Sequence, residues 1–204
     1  SGLSNLTVDK HTTIDFKKGV SAKDDIDGNV SFTVDSSSVN VNKYGTYYAK
    51  YTAKDKSGNT IPKKRKIVVN HDQEDVDALL DKYSKECGKT YEEIRKCVQK
   101  KIKYTTDNGG NDPIWYGLTK FKGNCLVHAY TYKALLERAG YENKLIWVTD
   151  KSHYWNLVKI NGKWRHSDST PGPRHSMISA ETDDVRYEHL QGRDWNRSLW
   201  PKAE

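Results

Sequence analysis

Long apolar runs are absent, and apolar residues are scarce throughout: they make up 35% of the 204-residue chain, with one Met and three Phe. No stretch approaches the roughly 20 apolar residues needed to cross a bilayer, so no membrane-spanning helix is expected. Any core must lean on large rings, since Trp and Tyr number six and thirteen and each such side chain buries roughly 150–250 Å². That aromatic content also excludes an intrinsically disordered chain. Neither a signal peptide nor an initiating Met is present: the sequence opens Ser1-Gly2-Leu3, and its one Met is Met177. A trimmed or processed fragment is expected, with targeting information outside it.

Glu is absent from the first 70 residues, and all six Trp and all three Cys fall later. Charge divides at the same place. Residues 1–70 hold 12 Lys+Arg and 7 Asp, a net of +5, while residues 71–204 hold 22 Lys+Arg and 20 Asp+Glu, a net of +2. The densest basic run, Lys63-Lys64-Arg65-Lys66, lies in a strand-like pattern. No recognition helix, finger spacing or stacking motif accompanies it, so no nucleic-acid partner is expected. A solvated strand face is the favoured reading, and attraction to a polyanionic surface such as an acidic cell wall is the alternative.

The composition break predicts two domains, residues 1–70 and 71–204. In the first, Val30, Phe32 and Val34 alternate with polar residues, as do Tyr47, Ala49, Tyr51 and Ala53, and Ile67 and Val69 end the segment. Asp27-Gly28 and Asp55-Lys56-Ser57-Gly58-Asn59 supply turns between them. This spacing predicts a small antiparallel all-β sandwich. The stretches Ser21 to Val30, Tyr44-Gly45-Thr46-Tyr47 and Ala53 to Asn59 together resemble the bacterial surface immunoglobulin-like family, over about residues 4–70. The resemblance implies a spacer or adhesive module on an exported protein, and hence an extracellular or cell-surface setting on a bacterium.

Beyond residue 71 the period becomes helical. Val76, Leu79, Leu80 and Tyr83 share a face behind an acidic first turn, and Gly88 closes the segment. Thr90 with Glu93 is a capping-box signature opening a second helix, striped by Ile94, Cys97, Val98 and Ile102. A turn-rich stretch from Thr105 to Pro113 leads to Trp115 and Tyr116. Cys125 to Gly140 reads as a helix burying Ala129, Tyr132, Leu135, Leu136 and Ala139. Strand patterns follow at residues 144–149, 153–160 and 163–170, so the second domain is expected to be α+β.

Cys125 stands at the start of its helix, after Gly123-Asn124. There the helix dipole and unpaired N–H groups favour a thiolate, and the same groups suit an oxyanion formed when a thiolate attacks a carbonyl. Asn161-Gly162 is a two-residue hairpin signal. Pairing Ile160 with Lys163 places His153 opposite Thr170 and Asp168 opposite Trp155. His153 and Asp168 then project from one face as diagonal neighbours, with Cβ atoms about 7–8 Å apart or less. Across such a gap Asp168 would orient the imidazole while His153 takes the thiol proton. A slip of one residue would put the two on opposite faces.

Gly123-x-Cys125, His128-Ala129, Tyr132, Leu135-Leu136, Gly140, His153-Tyr154-Trp155-Asn156, Trp164 and Asp168-Ser169-Thr170 occur in that order. Together they resemble the transglutaminase-like superfamily of papain-type thiol enzymes, over about residues 74–170, and Ile94 to Tyr104 is similar to its preceding helix. Ser169 stands where many members carry Pro. The resemblance implies an α+β transglutaminase-like (papain-like) domain with Cys125 as nucleophile, His153 as base and Asp168 as orienting acid, and no metal or organic cofactor. It leaves amide hydrolysis, acyl transfer to an amine and glutamine deamidation open, since all share a thioester acyl-enzyme. An exported bacterial cysteine protease or acyltransferase acting on a protein or peptide substrate, with the cell wall a candidate setting, is the expected function. The alternative is a catalytically idle cell-surface binding or adhesion protein on the same fold.

His128 shares a helix face with Cys125 and competes as its base, but lacks a carboxylate near in sequence and is expected to wall the pocket or face solvent. His166 is expected to be structural. Trp115, Trp147, Trp155 and Trp164 read as core, with Trp155 also a candidate substrate-binding residue two positions from His153. The C-terminal stretch, with Arg193, Trp195, Arg197 and Trp200, reads as a packed tail rather than a flap. Cys125-x-x-His128 has no second pair to complete a zinc site, so no metal is expected. Cys87 and Cys97 lie across a short turn; a disulfide and two free thiols are both compatible with that placement.

Overall fold

The computed structural model describes residues 1–172, 179–191 and 193–204, and divides into two compact units, Ser1–Asp75 and Val76–Glu204. Alternating apolar residues drive the first into strands β1 (Leu6–Val8), β2 (Ala22–Asp24), β3 (Gly28–Asp35), β4 (Gly45–Lys54) and β5 (Thr60–Val69), hydrogen-bonded in the order β1-β5-β4-β3-β2. In β4, Ala49 and Tyr51 are buried while Lys50 between them is exposed, the period-two signature of a sheet with one covered face. The pairings β2–β3, β3–β4 and β4–β5 are antiparallel, and β1 adds to β5 in parallel. The expected turns are held by carboxylates. Asp24 accepts the N–H groups of Ile26 and Asp27, Asp55 accepts that of Asn59 at 2.7 Å, and Asp27 accepts that of Lys56 at 2.9 Å, tying one turn to the other. The basic run is not uniformly solvated: Lys63 and Lys64 are exposed, whereas Arg65 is buried and donates to the Ser4 carbonyl at 2.8 Å.

The second unit is built on helices packed against a small sheet. Helix α1 (Gln73–Cys87) is followed by α2 (Tyr91–Lys101), whose capping box forms as the sequence predicts: the Glu93 N–H donates to the Thr90 hydroxyl and the Thr90 N–H to the Glu93 carboxylate. A short strand β6 (Lys103–Tyr104) pairs in parallel with β7 (Lys122–Gly123), and α3 (Pro113–Lys120) lies between them in sequence. Helix α4 (Cys125–Arg138) then packs its buried Ala129, Tyr132, Leu135 and Leu136 into the core. Strands β8 (Asn143–Trp147), β9 (Tyr154–Ile160) and β10 (Lys163–Ser167) form an antiparallel sheet with β9 central, and α5 (Asp183–His189) follows.

Residues Trp155 to Val158 of β9 are all buried because both faces of the sheet are covered. Val158 joins the core formed with α1 to α4, whereas Trp155 and Leu157 pack with Leu190, Trp195 and Ala203 of the C-terminal stretch. That stretch is the packed tail the sequence predicts. Among the described residues, no helix is long and apolar enough to cross a membrane.

Cys87 and Cys97 form a disulfide across the α1–α2 turn, with Cα atoms 5.3 Å apart, which settles the alternative that spacing left open. Closing a loop of sequence separation 10 stabilises by about 2–3 kcal/mol through the unfolded chain. Cys87→Ala/Cys97→Ala should lower the unfolding free energy by about that amount in urea titration. Thiol titration of the unfolded, unreduced chain should count a single group, Cys125.

Candidate active site

The free thiol is placed by the residues just before it. Gly123 has φ +157°, and a Cβ there would run into Val127 one turn along α4, so only glycine lets the chain enter the helix this closely. The Asn124 side chain then caps α4 by accepting the Leu126 N–H at 3.0 Å, and its own N–H donates to the Asp107 carbonyl at 2.7 Å. Cys125 is thereby fixed as the first residue of α4, 7% exposed. Burial pushes its thiol up, opposed by the N–H groups of Tyr154, Leu126 and Cys125 itself, while the Asp168 charge adds to the rise. Desolvation and the N–H groups thus pull the thiol in opposite directions, and the net direction is upward. Deprotonation needs an acceptor.

The hairpin that carries His153 and Asp168 at its ends has the expected register. Asn161 and Gly162 both take positive φ, 51° and 79°, and Lys163 pairs with Ile160 through to Ser167 with Asn156. His153 and Asp168 lie just beyond the ends of β9 and β10. There the His153 Nε2 is 2.7 Å from Asp168 Oδ2, with both side chains buried. In the neutral ring Nε2–H donates to the carboxylate, which leaves the basic lone pair on Nδ1. The Asp168 Oδ1 accepts the Thr170 N–H at 2.9 Å, and α2 steadies the same turn through Gln99, which donates to the carbonyls of Asp168 and Thr170 at 3.4 and 3.3 Å.

Trp155 has no exposed surface and so cannot bind substrate. It backs the imidazole instead: its ring stacks on His153 at 5.8 Å between centroids and 12° between planes. Its Nε1–H donates to His166 Nδ1 at 2.8 Å, and His166 Nε2–H donates to Asp183 at 2.9 Å, which makes His166 the structural residue the sequence predicts. His128 is also buried. Its Nδ1–H donates to the Ser169 carbonyl at 3.0 Å, its ring stacks on Tyr104 at 6.2 Å, and desolvation pushes it down to about 4. It is a buried wall residue whose desolvation disfavours the charged ring. Tyr104 is half exposed beside this wall, and both Cys125 and Asp168 act on its hydroxyl electrostatically. Tyr104 and Tyr154 both lie inside stretches that carry the family resemblance, but nothing in the sequence assigns either of them a place at the thiol.

Comparison with known proteins defines the class. Residues 2–69 match the family of bacterial surface proteins with an Ig-like domain, and residues 75–169 match the transglutaminase-like superfamily. The chain thus resembles, in order, a bacterial surface immunoglobulin-like domain and the transglutaminase-like superfamily. No curated protein matches the chain. A solved structure from Cytophaga hutchinsonii, described as a candidate cysteine protease, is similar over 69% of this chain at 15% identity and a TM-score of 0.35. The match covers 64% of that protein, so this chain spans less than two thirds of its length.

The His128 environment makes a pH prediction. An imidazole titrates near 6.5 when unfolded and at about 4 here, so between those values the unfolded chain binds the extra proton. Its contribution is intact above about pH 6.5 and is lost as pH falls toward 4, about 3 kcal/mol in all. His128→Asn, which can keep a donor to Ser169, should flatten the stability-against-pH slope in that window by about one proton in urea titrations.

Proposed function

We propose that the second domain is a cysteine-dependent enzyme acting on protein or peptide amides through a thioester acyl-enzyme. The first domain would hold it outside the cell or at the bacterial surface. The observation that carries this reading is the buried His153–Asp168 pair at 2.7 Å, adjoining a Tyr154 N–H that faces the Cys125 sulfur. Asp168 fixes the Nε2–H tautomer, and His153 Nδ1 takes the thiol proton. The sulfur adds to the substrate carbonyl, and the oxyanion meets the N–H groups at the start of α4. The imidazolium returns its proton to the departing amine as the C–N bond breaks, leaving the thioester. Water then releases an acid, or a primary amine forms a new amide, and the sulfur regains its proton through His153.

Because burial raises the thiol, transfer to His153, rather than a standing charge, would generate the nucleophile. No metal or organic cofactor enters this sequence of steps, and no nucleic-acid partner is invoked. The +5 net charge of residues 1–70 would favour an anionic cell wall as the setting in which a protein or peptide substrate is met.

Iodoacetamide labelling of Cys125 against pH tests the reading. The intact chain should label well below pH 8, and His153→Ala only in the ordinary thiol range near ~8.5 or above it. Ordinary-thiol labelling of both proteins would overturn the enzyme reading and leave an idle surface-binding module. Where activation is seen, peptide cleavage compared with primary-amine incorporation separates hydrolase from cross-linker.

A further inference from the structure

The match to the transglutaminase-like superfamily ends at residue 169, yet a side chain well beyond it reaches the catalytic pair. Arg186, on α5, is 0% exposed. Its Nη2 donates to Asp168 Oδ2 at 2.9 Å, the same oxygen that accepts His153 Nε2. Its guanidinium also lies 4.6 Å from the centroid of Trp155, the ring on which His153 stacks. The helix that carries it is pinned on the side of β10: Asp183 accepts from His166 Nε2 at 2.9 Å and from the Ala203 N–H at 3.2 Å.

We propose that Arg186 is a positioning residue that keeps Asp168 ionised and thereby sets which ring nitrogen of His153 carries the proton. This inference rests on the enzyme reading above. A carboxylate removed from solvent is drawn toward protonation, whereas a guanidinium stays charged across the whole working range of pH. With Arg186 against it, Asp168 only accepts, so His153 presents Nε2–H to it and keeps its lone pair on Nδ1. Without that charge Asp168 can hold a proton and donate it to Nε2. The ring then carries its hydrogen on Nδ1 and has no lone pair for the thiol proton. The geometry need hardly change for the base to be lost. Arg95, His128, Glu181 and Arg193 also face Asp168 or Arg186, and all stay in place in the variants below.

The full chain, Arg186→Gln and Arg186→Lys are compared by ¹⁵N NMR of the His153 ring, assigned against His153→Gln, together with iodoacetamide labelling of Cys125 against pH. Gln keeps an N–H donor without the charge; Lys keeps the charge without the fork. In Arg186→Gln, His153 should convert to the Nδ1–H tautomer, and labelling between pH 6 and 7 should slow about 100-fold. Arg186→Lys should retain Nε2–H. A folded Arg186→Gln, judged by near-ultraviolet circular dichroism, that keeps the Nε2–H tautomer and the parent labelling profile overturns the proposal. Should Arg186→Gln fail to fold, an Nδ1–H tautomer in Arg186→Lys overturns it instead. If the parent chain itself labels as an ordinary thiol, the enzyme reading fails, while the tautomer still tests the role of Arg186.

Discussion

A carboxylate sealed from water must find its hydration shell in the protein, and Asp168, with 0% exposure, is that carboxylate here. One oxygen takes the Thr170 N–H; the other takes His153 and Arg186. Its carbonyl takes Gln99 from α2. The carboxylate's donors come from the start of β9, the turn after β10 and α5, so satisfying one charge fixes three pieces of chain against one another, and α2 adds a fourth through the carbonyl. Site and core are in this sense a single object. The pair that would do the chemistry is also where the helices, the sheet and the C-terminal stretch meet.

Much of this was legible where a short-range rule acted alone. Asn161-Gly162 admits positive φ at both positions, and that conformation determines the pairing of Lys163 with Ile160 and, by continuation, the facing of His153 and Asp168. Thr90 and Glu93 announce α2 because their capping bonds are local. Helix α3 was hidden, although Asp112 caps it and Pro113 occupies its first turn, since both residues also belong to turns and the helix is too short to develop a stripe. Helix α5 was hidden for a further reason. It is seven residues long, and its central buried residue is a cation whose partner lies 18 positions away. A buried Arg contradicts the hydrophobic pattern by which helices are recognised, and only the fold supplies the carboxylate that makes it tolerable. Trp155 shows the same limit from the other side: alternation gives its facing, but its exposure depends on the later stretch that covers that face.

Burial also reverses the simplest expectation about the thiol. A helix start favours thiolate, yet the same packing that places Cys125 there removes the water that would stabilise the charge. Under the proposed mechanism a base would have to accept the thiol hydrogen, and the tautomer of that base would decide whether it can.

Among the described residues three buried histidines lie within reach of this core, and their surroundings separate them. His166 has both nitrogens engaged, one by Trp155 and the other by Asp183, so it has none to exchange protons with a substrate. His128 commits Nδ1 to the Ser169 carbonyl, and desolvation pushes it down to about 4, away from the charged ring. His153 differs in having a carboxylate on Nε2 and in adjoining the residue whose N–H faces the Cys125 sulfur. A carboxylate partner stabilises the imidazolium as it forms, and that is the property a proton acceptor for a raised thiol needs. Under the proposed mechanism His153 would be the base because of the carboxylate it holds on Nε2, rather than by proximity along the helix that carries the cysteine.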